Sequence, residues 1–157
     1  MKKIVGAEWL RRAVAGDRGA IETLQAEAFA EIAALTGVTP LPLLWDYGEI
    51  LRDCDVFLAE DAAGLSGVLI LRVRDADLYL ESIAVADRAR GSGLGGRLLA
   101  ATDTAAAAAG RSAIRLLTIE KNVDRIALYA RKGYALEHVE EMSDRRAVHM
   151  VKHLTQG

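Results

Sequence analysis

Six consecutive residues, Arg90-Gly91-Ser92-Gly93-Leu94-Gly95, join an alternating strand to an amphipathic helix and are the part of this sequence best suited to grip a ligand. The first N–H groups of a helix lack intrahelical acceptors and carry the positive end of its dipole, so they can hold a pyrophosphate. Gly91, Gly93 and Gly95 let the backbone approach it closely. Three kinds of phosphate cradle can be compared with this junction. Gly91, Gly93 and Gly96 satisfy the dinucleotide pattern G-x-G-x-x-G, with Glu120 as a stand-in for its acid, but that turn should follow its strand directly. Here five residues separate Val85 from Gly91, and about half the chain comes first. A Walker A loop has its glycine separation at Gly91 and Gly96, yet Arg97 and Leu98 stand where its Lys and Ser or Thr are needed.

The third pattern, R/Q-x-x-G-x-G/A, is met at every defined position by Arg90, Gly93 and Gly95. The stretch resembles motif A of the GNAT superfamily of N-acetyltransferases, which binds the pyrophosphate of acetyl-coenzyme A. Glu81-Ser82-Ile83-Ala84-Val85 looks like that family's fourth strand. A second segment agrees independently: Asn122 and Tyr129, seven apart and followed by Gly133-Tyr134, resemble the family's second coenzyme-binding segment. The resemblance runs from about Leu10 to Leu154. It implies an α/β fold with a mixed, mostly antiparallel sheet of about seven strands, about four flanking helices, and fourth and fifth strands that splay apart. It also implies acetyl-coenzyme A as co-substrate, held by Ile83, Ala84, Val85, Arg90, Gly91, Ser92, Gly93, Leu94, Gly95, Asn122 and Tyr129. Backbone groups of Ile83 to Val85 would meet the pantetheine arm or polarise the thioester, and Asn122 would hydrogen-bond that arm.

Acetyl transfer to an amine needs a neutral nucleophile, support for the developing oxyanion and a proton for the departing thiolate. Strand alternation puts Glu81 on the face of Ile83, toward the cleft, where a carboxylate would take the ammonium proton. The plainer readings are an exposed strand residue, or one that holds a cationic substrate without moving protons. By the resemblance Tyr129 lies near the sulfur; a phenol is protonated at neutral pH and can donate to a forming thiolate. Standing alone, Tyr129 would read as an amphipathic core tyrosine. Arg125 departs from the family pattern, which often has a small residue three after the asparagine.

The implied activity is direct transfer of an acetyl group to the primary amine of a small molecule. Acetylation of a protein amino terminus or lysine, and a non-catalytic acyl-coenzyme A sensor, are the alternatives. Trp45 and Tyr47 would line an acceptor pocket or cover the core. Asp46, Glu49, Asp53, Glu140, Glu141 and Asp144 would make an acidic rim suited to a cationic amine, although Arg52, Arg145 and Arg146 interleave with them.

The elements that must position these groups follow from periodicity. Ala7 to Val14 reads as a first strand, and Arg18 to Leu35 as a helix capped by Asp17, with Ile21, Leu24, Ala28, Ile32 and Leu35 on one buried stripe. Thr36 to Pro42 breaks it, and a short helix over Leu43 to Asp53 follows. Val56 to Glu60 and Gly67 to Arg74 form a hairpin, and Leu78 to Val85 the next strand. The helix after the cradle carries Leu94, Leu98, Ala101, Ala105 and Ala108 on one face and stops at Gly110. Ala113 to Ile119 makes a strand, so the cradle lies within a right-handed parallel β-α-β crossover. Asn122 to Lys132 is a short helix, and Tyr134 to Glu140 with Arg146 to His153 a terminal hairpin.

Composition bounds the partners. The 157 residues suit one domain, 1–157, with enough mass to bury a core unaided. A formal net charge of -2 gives no general attraction to nucleic acid or to an anionic membrane, so affinity for a polyanionic coenzyme must be local, from the helix end and Arg90, with Arg131 and Lys132 as further candidates. Cys54 is the single cysteine, which excludes an internal disulfide and reads as a small, partly buried side chain rather than an acyl carrier. Lys2 and Lys3 mimic a signal segment, but Glu8, Arg11 and Arg12 interrupt any apolar run, so a soluble cytoplasmic protein, monomer or homodimer, is expected. His149 and His153 have a metal-like spacing only in a helix, and their surroundings read as strand, so no metal is expected.

Overall fold

Runs of Val, Leu and Ile between turn residues build a seven-stranded sheet in the computed structural model, which describes residues 1–155. In chain order the elements are β1 (Arg11–Arg12), α1 (Arg18–Thr36), α2 (Tyr47–Asp53), β2 (Asp55–Asp61), β3 (Gly64–Val73), β4 (Leu78–Val85), α3 (Leu94–Ala108), β5 (Ala113–Ile119), α4 (Val123–Arg131), β6 (Ala135–Glu141) and β7 (Arg146–His153). The spatial order is β1-β2-β3-β4-β5-β7-β6, antiparallel throughout except for β4 beside β5. That is the mixed sheet expected from the sequence, with a parallel pair where the long helix connects two strands.

Apolar residues face both sides of the central strands, and a layer of helix covers each. On one side α3 buries Leu94, Leu98, Leu99, Ala101, Ala105 and Ala106 against Leu69 and Leu71 of β3 and Leu78, Leu80 and Ile83 of β4. On the other, Ile21 and Leu24 of α1 and Tyr47 of α2 meet Val56, Leu58, Val68, Ile70 and Ala84. β4 is thus buried on both faces, and its sequence is apolar almost throughout.

Departures from the sequence reading have local causes. The apolar run before β1 is not strand: Ala7 and Leu10 donate to Ile4 O and Ala7 O in turns that push Ile4, Ala7 and Leu10 into the core, leaving Arg11 and Arg12 to pair with β2. Asp17 does not cap α1 with its side chain; its carboxylate accepts from Val14 N and Arg11 instead. The buried stripe of α1 fades, and Leu35 is 75% exposed, because the helix runs past the sheet. Ala108 is likewise exposed near the end of α3. The second helix starts at Tyr47, not Leu43, where Asp46 Oδ1 accepts the Gly48 and Glu49 N–H groups at 2.8 and 3.3 Å. Among the described residues no helix is long and apolar enough to cross a membrane.

Candidate active site

β4 and β5 share two partner pairs, Leu78 with Ile114 and Tyr79 with Arg115, and then diverge as β5 continues its pairing with β7. The divergence opens a gap through the sheet. Phe29 and Ile32 of α1, the Pro40–Trp45 segment, Glu81, Ser82 and Ile83 of β4, Leu117 to Ile119 of β5, and Arg125 and Tyr129 of α4 with its capping residue Asn122 line it. The cleft holds about 690 Å³ of open space, its mouth included. A channel bounded by Val85, Arg90, Leu128 and Arg131 shares Phe29, Ile32, Asn122 and Arg125 with this cleft. Cleft and channel therefore join at α4.

Backbone geometry decides which strand groups face the gap. Ile83 O accepts from Arg125 Nη1 at 3.3 Å, whereas Ala86 N donates to Ser66 O on the β3 side. Peptide groups alternate along a strand, so Ile83 and Val85 present their N–H and C=O to the gap while those of Ala84 point to β3. Of the three positions expected to meet a pantetheine arm, two have backbone groups able to do so.

Glu81 is an inserted residue. Ile70 pairs with Ser82 and Leu71 with Leu80, so Glu81 has no partner on β3 and forms a β-bulge. Simple alternation would put it on the face of Ile83; the bulge undoes that. Leu80 and Ile83 both enter the α3-side core, and Glu81 turns to the α1 side, where Arg72 Nε donates to Oε1 at 3.1 Å. It still borders the cleft, because the gap passes through the sheet. Behind it, the buried Gln25 donates from Nε2 to Ser82 Oγ at 3.1 Å and to Tyr47 Oη at 2.9 Å, and Tyr47 donates to Pro42 O at 2.6 Å. Burial pushes the Tyr47 phenol up to about 12. This network ties α1, the segment before α2 and β4 into one wall.

The two aromatic candidates separate. Trp45 lines the cleft, while Tyr47 is buried in the α1-side core. At the start of α4, Asn122 Oδ1 accepts the Arg125 N–H at 3.4 Å and so caps the helix, and the residue lines both cleft and channel. One helical turn or two further on, Arg125 and Tyr129 stand on the same face. Tyr129 is 6% exposed and packs edge-on to Tyr134 at 5.6 Å, and its hydroxyl accepts from Arg125 Nη1 at 3.2 Å.

The glycine junction has the conformation a cradle needs. Gly91 and Gly93 have φ of +77° and +87°, which side chains resist, and a Cβ on Gly91, Gly93 or Gly95 would meet open space. Ser92 Oγ donates to Ala89 O at 2.5 Å and accepts the Leu94 N–H at 3.4 Å, bracing the loop from within. Among the described residues no protein acceptor meets the N–H groups of Gly93, Gly95 and Gly96. Arg90 is held sideways, paired with Glu31 of α1 at 2.8 Å and Asp87 at 3.1 Å, so its charge is partly balanced. Lys132 supplies a cation closer in, its ammonium 3.6 Å from where a Gly96 Cβ would stand. Free N–H groups, an open face and a nearby ammonium fit a pyrophosphate.

Other candidates lie elsewhere. None of the expected acidic rim borders the cleft: Asp46 caps α2 and pairs with Arg18, Asp53 with Arg52, Glu140 with His149, Glu141 with Arg146 and Asp144 with Arg145. Cys54 is buried, accepts from Arg72 Nη2 at 3.2 Å, and has its thiol pushed up to about 11 by that burial. His149 and His153 lie on β7, and the His149 ring stacks on His138 at 4.1 Å. Sequence reasoning missed Gln25 and Ser82, whose partners are far apart in the chain, and read Ile32 only as core; Arg125 drew notice only as a departure.

Residues 52–136 match the family model described as an acetyltransferase (GNAT) domain. Solved structures of the same fold include a nourseothricin acetyltransferase, 24% identical over 93% of this chain and 98% of that one, with a TM-score of 0.70. The ribosomal-protein-S18-alanine N-acetyltransferase from Escherichia coli is 17% identical over 94% of each chain, with a TM-score of 0.75. PaiA N-acetyltransferase from Thermoplasma acidophilum, solved with coenzyme A, is 15% identical over 92% of this chain and 97% of that one, with a TM-score of 0.77. No curated protein sequence matches the chain.

Proposed function

The chain belongs to the GNAT family of acetyltransferases, and on that footing we propose that it transfers the acetyl group of acetyl-coenzyme A directly to the primary amine of a small molecule with an apolar body. The observation that carries this reading is the lining of the cleft. Phe29, Ile32, Pro40, Leu41, Pro42 and Trp45 wall one side, and Glu81 is the carboxylate beside them. A site of this kind binds by apolar burial and orients by a few polar groups.

Acetyl-coenzyme A, when bound, supplies an activated thioester. The glycine-loop N–H groups and Lys132 hold its pyrophosphate, and the Ile83 N–H and the Val85 edge with Asn122 line the way to the cleft. Glu81 receives the ammonium proton at the carboxylate oxygen that Arg72 leaves free, directly or through water. Tyr129 gives its phenolic proton to the departing sulfur and recovers one from water.

Steady-state thiol release from acetyl-coenzyme A tests the reading across apolar amines such as 2-phenylethylamine, amino acids, polyamines, aminoglycosides, amino sugars and short peptides. The apolar small amines are expected to give the highest kcat/KM. Peptides outcompeting them would reassign the acceptor to protein amino termini or lysines. Tight coenzyme binding with no amine-dependent release would make the chain a sensor.

A further inference from the structure

We propose that Arg125 is a positioning residue that sets Tyr129 as the proton donor of the reaction, an inference that rests on the acetyltransferase reading above. Arg125 projects from α4 to the junction of cleft and channel and is half-buried there. A guanidinium can only donate, so at 3.2 Å the Tyr129 oxygen must be the acceptor. The phenolic hydrogen is thereby directed away from Arg125, toward the open cleft. A hydroxyl accepting from a cation and donating to a ligand is polarised in the sense that proton donation requires.

Charge balance favours the same role. Arg72, Arg90 and Arg115 each have a carboxylate within salt-bridge distance, whereas among the described residues none lies within that distance of Arg125. Its fixed positive charge is therefore available to the oxygen that becomes negative when Tyr129 releases its proton. The O–H bond of Tyr129 breaks, an S–H bond forms on the leaving thiolate, and the phenolate that remains keeps the Arg125 hydrogen bond until water returns a proton. The second bond of Arg125, to Ile83 O at 3.3 Å, anchors the guanidinium to β4 across the gap, so the donor is held in register with the strand edge.

Two measurements decide the matter. In a crystal structure of the wild-type chain with coenzyme A, Arg125 is expected within hydrogen-bond distance of Tyr129 Oη, with that oxygen turned toward the sulfur. An Arg125 swung onto the phosphates or into solvent overturns the proposal whether or not an acceptor is known. With the fastest amine of the panel, Arg125→Gln is expected to lower kcat about tenfold or more, the scale of a lost charge-assisted hydrogen bond, with coenzyme A affinity within about threefold by calorimetry. Arg125→Lys should recover most of that loss. Arg125→Gln added to Tyr129→Phe should cost nothing further, because the two act as a unit. Equal losses in both backgrounds would overturn the proposal. A slow Tyr129→Phe beside a wild-type-like Arg125→Gln would sink this inference and leave the acetyltransferase reading standing, whereas no turnover with any amine would sink that reading alone.

Discussion

Asp77 and Arg115 meet at 3.1 Å beside the last pairs that join β4 to β5. Asp77 is 2% exposed and also takes two hydrogen bonds from Arg74, each 2.6 Å, while Arg115 goes on to pair with Glu137 of β6. The cluster fastens the closed end of the splay. The Arg74 hydrogen bonds, helped by Arg115 and opposed by burial, hold the Asp77 carboxyl below its usual 3.8. A depressed carboxyl stabilises the fold above its unfolded value and loses that contribution as pH falls through the folded one. Urea midpoints should therefore drop more steeply below about pH 4 in the wild type than in Asp77→Asn. At pH 7, Asp77→Ala should cost about 1–3 kcal/mol, less than a fully buried pair because Arg74 is partly exposed.

Gly93 opens α3 from the left-handed region, and its carbonyl accepts the Arg97 N–H at 3.1 Å. Alanine there is strained by about 1–2 kcal/mol and puts a methyl into the space that faces the free N–H groups. Gly93→Ala should weaken coenzyme A binding about tenfold or more, read by calorimetry, with far-ultraviolet dichroism unchanged.

Tyr129→Phe keeps the ring against Tyr134 and deletes only the hydroxyl. Loss of a general acid predicts a fall in kcat of about a hundredfold, with the coenzyme A dissociation constant within about twofold. Unchanged turnover would return Tyr129 to a purely structural role.

Cys54 offers a check on direct transfer. Its thiol, pushed up to about 11 by burial, stays protonated and shielded near neutral pH. Cys54→Ala should retain turnover, and intact-mass spectrometry after mixing with acetyl-coenzyme A should show no acyl adduct on the wild type. A trapped acyl-cysteine would rule out the one-step mechanism.

How much of this was legible in the sequence depends on the range of the interactions. The glycine loop could be read because glycine spacing and a helix start are local, and Gly93 stands at that start in the left-handed region. Asn122 caps the helix that carries Tyr129, so their seven-residue spacing carried over to a shared cleft. The bulge at Glu81 could not be read: an extra residue in a strand buried on both faces leaves the same apolar run. Nor could the Gln25–Ser82 bond, which spans 57 positions. The acidic rim failed because counting acids says nothing of where the chain carries them or of the cations that Asp46, Asp53, Glu140, Glu141 and Asp144 meet.

The bulge also fixes which side of the sheet the cradle serves. With Glu81 inserted, every residue from Ser82 onward is out of phase with Leu78 and Leu80, so Ile83 joins them under α3 and Ala84 faces α1. Pairing Glu81 with Ile70 instead, with no residue left over, would restore perfect pleating while rotating the end of β4 by half a turn. Ile83 would leave its place beneath α3, and the peptide edge now turned to the gap would be spent on β3. The irregular strand is thus the arrangement that works, and the regular one would be a better sheet with its ligand groove shut.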